Sequence, residues 1–163
     1  MWFSALIAAG IARAGEPAPA PGSWTMVHIP DTQYYANNLQ QAPIMVGQTA
    51  WLVASAAHWN IRMAVQVGDL VNDNNDIQWD RVRAAFDQLN GRVPYAICTG
   101  NHDCGPEGSG QTRVSQFVRD DRFGTGSPYF SQPTCNGYFR FPGEAAGNTA
   151  NSWHTFRAGR QES

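Results

Sequence analysis

Short apolar runs alternate along this chain with longer stretches whose apolar residues recur at helical spacing. Trp24 to Ile29 is an apolar segment closed by Pro30 and predicts a strand. Pro43 opens a helix reaching to about Asn60, with Met45, Leu52, Ala56 and Trp59 on one face. Ile61 to Val67 alternates, which places Ile61, Met63, Val65 and Val67 on one side of a second strand. Asp76 suits an N-cap, the stripe Trp79, Val82, Phe86 and Leu89 follows it at helical spacing, and Gly91 marks the stop. Val93 to Cys98 is nearly all apolar, as a strand buried on both faces would be, with Cys98 as a buried thiol. The alternation of strand and helix predicts an α/β fold with right-handed crossovers, parallel neighbours and helices covering the sheet.

Composition agrees with one packed domain. Hydrophobic residues make up 42% and charged residues 15% of 163 residues, which excludes a disordered tail. The basic residues are all Arg, scattered rather than clustered, and the net charge is −2. No basic stripe of the kind a nucleic-acid backbone requires is present in the sequence. The aromatic residues would suit a glycan-binding or adhesive β-domain, but Trp51, Trp59, Trp79 and Phe86 fall in the expected helices, where core packing explains them better.

The first residues divide differently. Trp2 to Ala12 has the length of a signal-peptide core and is too short to span a bilayer. Ala12-Arg13-Ala14 then offers a small-x-small cleavage pattern, so residues 1–14 are expected to be an export signal; a buried N-terminal helix is the alternative. Residues 15–23 are Pro/Ala-rich and read as a linker to a domain spanning 24–163. No later segment suits a transmembrane helix, so a secreted or periplasmic location is expected. Cys104 and Cys135 lie in Gly/Pro-rich sequence and are candidates to pair.

The chemistry collects at the strand ends. Asp31-Thr32-Gln33 follows the first strand, Gly68-Asp69-Leu70-Val71-Asn72-Asp73 the second and Gly100-Asn101-His102-Asp103 the third. In parallel α/β sheets ligands gather beyond the carboxyl ends of the strands. Two carboxylates, an amide and an imidazole delivered there suit hard and borderline cations. The glycines before Asp69 and Asn101 let the backbone turn sharply and come close. Taken singly, each motif is weak, and an Asp after a strand is more often a turn former than a ligand.

Together, PDTQYY, GDLVND and GNHD in this order resemble the calcineurin-like metallophosphoesterases, which include the purple acid phosphatases. The resemblance runs from about Trp24 to Phe156 and is strongest to a secreted bacterial branch. It implies an α/β sandwich with helices covering a mixed sheet, here truncated at the C-terminus. It also implies a metal-dependent hydrolase of phosphoric esters with two divalent or trivalent ions, Fe, Zn or Mn. In that scheme Asp31 ligates the first metal, Asp69 bridges both and Asn101 ligates the second. His102 faces the phosphate ester as general acid or stabiliser, oriented by Asp103. Gln33 stands where the family usually has His, so its carbonyl oxygen would be the ligand. The family completes its site with downstream histidines, whereas this chain has only His154 after Asp103, in a segment resembling a strand. His28 and His58 are better explained as packing or surface residues. A non-catalytic exported module that binds metal or phosphate is the other reading of these residues.

Overall fold

The structure, a computed structural model, describes residues 17, 19–103, 135–140, 152–156 and 158. Strand β1 (Thr25–Ile29) leads into a short helix α1 (Gln33–Asn37) and then helix α2 (Ala42–Ser55). Strand β2 (Ile61–Gln66) follows, then helix α3 (Asp76–Phe86), a 3₁₀ turn (Asp87–Leu89) and strand β3 (Tyr95–Ile97). Strands β4 (Cys135–Arg140) and β5 (Ser152–Phe156) complete the described elements.

The first three strands form a parallel sheet in the order β1-β2-β3, as expected of helical crossovers. The antiparallel pairing lies in a separate two-stranded sheet, β4 with β5. Among the described residues, therefore, the expected mixed sheet is two sheets. They approach where the ring of Phe156 meets that of Trp24 edge-on, with centroids 5.8 Å apart.

The core lies between the parallel sheet and helices α2 and α3. Met45 and Leu52 of α2 are buried, as are Trp79, Val82 and Phe86 of α3 and Leu89 beyond it. Phe86 leans on Tyr95 of β3 with ring centroids 5.7 Å apart, which locks α3 onto the sheet. Leu70 and Val71, directly after Asp69, are also completely buried. Each such side chain contributes roughly 1.5–3 kcal/mol by leaving water, so the loop carrying Asp69 is anchored by its own apolar residues.

Several boundaries differ from the sequence reading. Helix α2 begins with Pro43 in its first turn but ends at Ser55, and Ala56 and Trp59 pack against the core from the turns that follow. Asn75, not Asp76, caps α3: its side chain accepts from the N–H of Gln78 at 3.1 Å. Strand β2 is buried on both faces, and Val67 lies beyond its end and is exposed. Its central place in the sheet explains the loss of alternation. Cys98 is a free, exposed thiol rather than a buried one, because β3 ends at Ile97 and the chain leaves the core there. Trp51, although on α2, is half exposed. The expected export signal at 1–14 lies outside the described residues, as does most of the linker. Among the described residues no helix is long and apolar enough to cross a membrane.

Candidate functional site

Three loops at the carboxyl ends of β1, β2 and β3 meet at Asp69. The N–H of Thr32 donates to the carbonyl of Asp69 at 3.1 Å, and the Thr32 hydroxyl donates to the carbonyl of Leu70 at the same distance. From the other side, the N–H of His102 donates to Asp69 Oδ1 at 2.9 Å. The loops touch through glycine. A Cβ added at Gly68 would lie 2.8 Å from the nitrogen of Gly100, and one at Gly100 would overlap the Asp69 carboxylate. Gly68 has φ +107° and Asp69 φ +50°, a left-handed pair in which Asp is among the better tolerated side chains.

Asp103 is completely buried between two of these loops. Its Oδ1 accepts from the N–H of Val71 at 3.0 Å and its Oδ2 from the N–H of Gly100 at 2.8 Å. Burial pushes this carboxyl above its ordinary value; the N–H groups of Gly100, Val71 and Leu70 oppose that shift, and the charge of Asp69 adds to it. The Asp103 bonds to Val71 and Gly100 run to main-chain N–H groups rather than to the His102 ring. Asp103 ties main chain to main chain, and Nδ1 of His102 lies 2.9 Å from the carbonyl oxygen of Asn72. A carbonyl can only accept, so Nδ1 carries a proton; in the neutral form of the ring the lone pair is then on Nε2.

Asp31 and Gln33 form a local unit. Asp31 Oδ1 accepts from the N–H of Gln33 at 2.9 Å, and Oδ2 accepts from Gln33 Nε2 at 2.8 Å. Gln33 is buried, and among the described residues its Oε1 has no hydrogen-bond partner. A buried acceptor without a donor is costly. Half a turn of the amide would set that oxygen beside the Asp31 carboxylate and make an all-oxygen pair suited to a cation. Asn101 lies exposed in the turn formed by residues 101–103. Among the described residues no group of three His, Cys, Asp or Glu is placed to hold a metal ion. The expected ligands Asp31, Gln33, Asp69 and Asn101 include only two residues of those types.

The supporting glutamines have no motif in the sequence to mark them. Gln66, fully buried at the end of β2, donates from Nε2 to the carbonyl of Gly68 and accepts the N–H of Gly68, shaping the turn before Asp69. Gln78 of α3, 4% exposed, accepts from the N–H groups of Asn72 and Asp73 at 2.8 and 2.9 Å. The Asn-rich stretch serves local structure: Asn75 caps α3 and Asn74 accepts from the indole N–H of Trp79 at 2.8 Å. Tyr34 is exposed, whereas Tyr35 packs on the core.

His154 lies in β5 opposite Tyr138 of β4. The expected Cys104–Cys135 pairing lies outside the described residues, since Cys104 and the side chain of Cys135 are not described.

No family model matches the chain, and no solved structure matches it. It is similar to YvnB of Bacillus subtilis (strain 168), an uncharacterized protein, with 34% identity over 112 residues. The match takes in 66% of this chain, and the chain spans 8% of that relative's length.

Proposed function

We propose that this chain belongs to a metal-dependent phosphoesterase of the calcineurin-like type, exported from the cell, acting on a phosphate ester. The observation that carries the reading is the meeting of the three strand-end motifs at Asp69, through the N–H groups of Thr32 and His102. Turn-forming residues with no shared task would not need to meet at one residue, Thr32 on its main-chain carbonyl and His102 on its carboxylate. The buried Oε1 of Gln33, without a hydrogen-bond partner among the described residues, supports the same reading, since the amide that carries it is bonded to Asp31.

In this scheme Asp31 and Gln33 would hold one ion and Asn101 a second, with Asp69 contributing to both. Such ions (Fe, Zn or Mn) would supply Lewis-acid polarisation of the phosphoryl oxygens and a more acidic water as nucleophile. The chain's own residues do the rest. His102, with Nε2 as its free nitrogen, faces the phosphoryl oxygens and moves or holds a proton there. Asp103 keeps the second and third loops at a constant separation through Val71 and Gly100. The finer architecture belonging to this reading is the metallophosphoesterase sandwich, a second sheet packed against the first.

The test is hydrolysis of nitrophenyl phosphate mono- and diesters by a longer polypeptide in which a Gly-His-x-His segment follows these residues. Turnover dependent on Mn, Zn or Fe and lost on Asp69→Asn is expected. Absence of turnover with every one of these metals, or turnover indifferent to Asp69→Asn, would remove the reading.

A further inference from the structure

We infer that Gln78 is a positioning residue for His102 and sets the tautomer of its ring through a single peptide plane. Gln78 lies on the first turn of α3, and its side chain is buried. Its Oε1 accepts from the N–H of Asp73 at 2.9 Å. That N–H and the carbonyl of Asn72 belong to the same peptide unit. A trans peptide is planar and points its N–H and C=O in opposite directions. With Gln78 on the N–H, the carbonyl is directed away from α3, and there it meets Nδ1 of His102 at 2.9 Å. The bonds run in one line, from His102 through the Asn72–Asp73 peptide to Gln78, and each polarises the next.

The rest of the Gln78 amide keeps that oxygen in place. Oε1 also accepts from the N–H of Asn72 at 2.8 Å, which uses its second lone pair. Nε2 donates to Asp73 Oδ2 at 2.9 Å and to Asn37 Oδ1 at 3.2 Å, on the element that follows the Asp31 loop. All four hydrogen-bonding positions of the amide are therefore occupied, and its orientation is determined. Helix α3 thus reaches the His102 ring without touching it. The role given to Nε2 rests on the reading of His102 proposed above, whereas the link from Gln78 to Nδ1 stands on the hydrogen bonds alone.

The experiment is ¹⁵N NMR of the 163-residue chain with labelled histidine, at a pH raised until the His102 ring shifts no longer change, so that the ring is neutral. His102 is assigned by comparison with His102→Gln. The wild-type ring is expected to be protonated at Nδ1. Gln78→Met, of similar length but without an amide, should shift His102 towards the Nε2-protonated form favoured by a free imidazole. Gln78→Glu combined with Asp73→Asn, whose amide can donate to the second carboxylate oxygen, keeps an oxygen for the two N–H groups and should retain the Nδ1 proton. If Gln78→Met fails to unfold cooperatively, Gln78→Asn, one methylene too short to reach, takes its place. An unchanged Nδ1–H tautomer in the folded Met or Asn variant would overturn the inference, as would its loss in the folded Gln78→Glu, Asp73→Asn double variant. This readout needs no turnover, so failure of the phosphoesterase reading shows separately, in the Asp69→Asn comparison.

Discussion

The main-chain N–H of His102 donates to Oδ1 of Asp69 at 2.9 Å, and this bond joins the third strand-end loop to the second. Asp69 holds that position with a left-handed backbone, φ +50°. Asn shares the tolerance for this region, and Ala does not. Asp69→Asn should therefore fold with little loss of stability, whereas Asp69→Ala should lose about 1–3 kcal/mol, measured by urea unfolding. Calorimetric titration with Mn²⁺ should show weaker binding in both variants. Equal stability of the two would show that the backbone at Asp69 is not under constraint.

Gly100→Ala is expected to disturb the same point from the other side, because the added methyl would overlap the Asp69 carboxylate. Overpacking of this kind costs about 1–3 kcal/mol. The His102 amide proton, bonded to that carboxylate, should shift in the NMR spectrum of the variant. An unaltered His102 amide would contradict the contact.

Asp103 makes a prediction about pH. Burial raises its carboxyl above the ordinary value, so between that value and the raised one the folded chain binds more protons at this group than the unfolded chain. This contribution to stability consequently grows as pH falls through the window and is lost as pH rises through the folded value. In metal-free buffer, the stability of the wild type relative to Asp103→Asn should increase on acidification from neutrality towards the ordinary Asp value. A difference that is flat or of opposite slope would show that the N–H bonds outweigh burial.

Leu52 and Trp51 are neighbours on α2 with opposite surroundings, 2% and 50% exposed. Leu52→Ala should cost about 2–5 kcal/mol through the cavity it leaves. Trp51→Ala removes more atoms and should cost far less, because much of that ring is in water already. Thermal unfolding of the two variants decides between burial and side-chain size as the determinant.

The 163 residues alone should show negligible hydrolysis of nitrophenyl phosphate esters with Mn²⁺ or Zn²⁺. After His102 they contain only His154 as an imidazole, and its strand β5 belongs to the separate sheet. Ligand number sets metal affinity before outer partners refine it. Strong turnover by this chain, lost on Asp69→Asn, would show that fewer ligands suffice.

The hydrophobic pattern by itself determined the alternation of strand and helix and the buried stripe of α3, because local periodicity follows directly from backbone geometry. It also determined that Asp31, Asp69 and Asn101-His102 leave their strands at one edge, since parallel strands must all end on the same side. Other features were decided by tertiary structure. Val67 reads as part of β2 but is exposed, and Cys98 reads as buried but is free at the surface. In both cases the run of apolar residues outlasts the strand, and only the length of the neighbouring strands sets where burial ends. The partners of Asp103 and His102 were likewise illegible, because main-chain N–H and C=O groups are the same at every residue and leave no mark in a sequence. Gln66 and Gln78 act on such groups, and glutamine is so often a surface residue that nothing in its local context distinguishes one that is buried and fully bonded. Which peptide planes meet, and hence which nitrogen of His102 is free, follows only once three loops distant in sequence have been brought to one edge of a sheet.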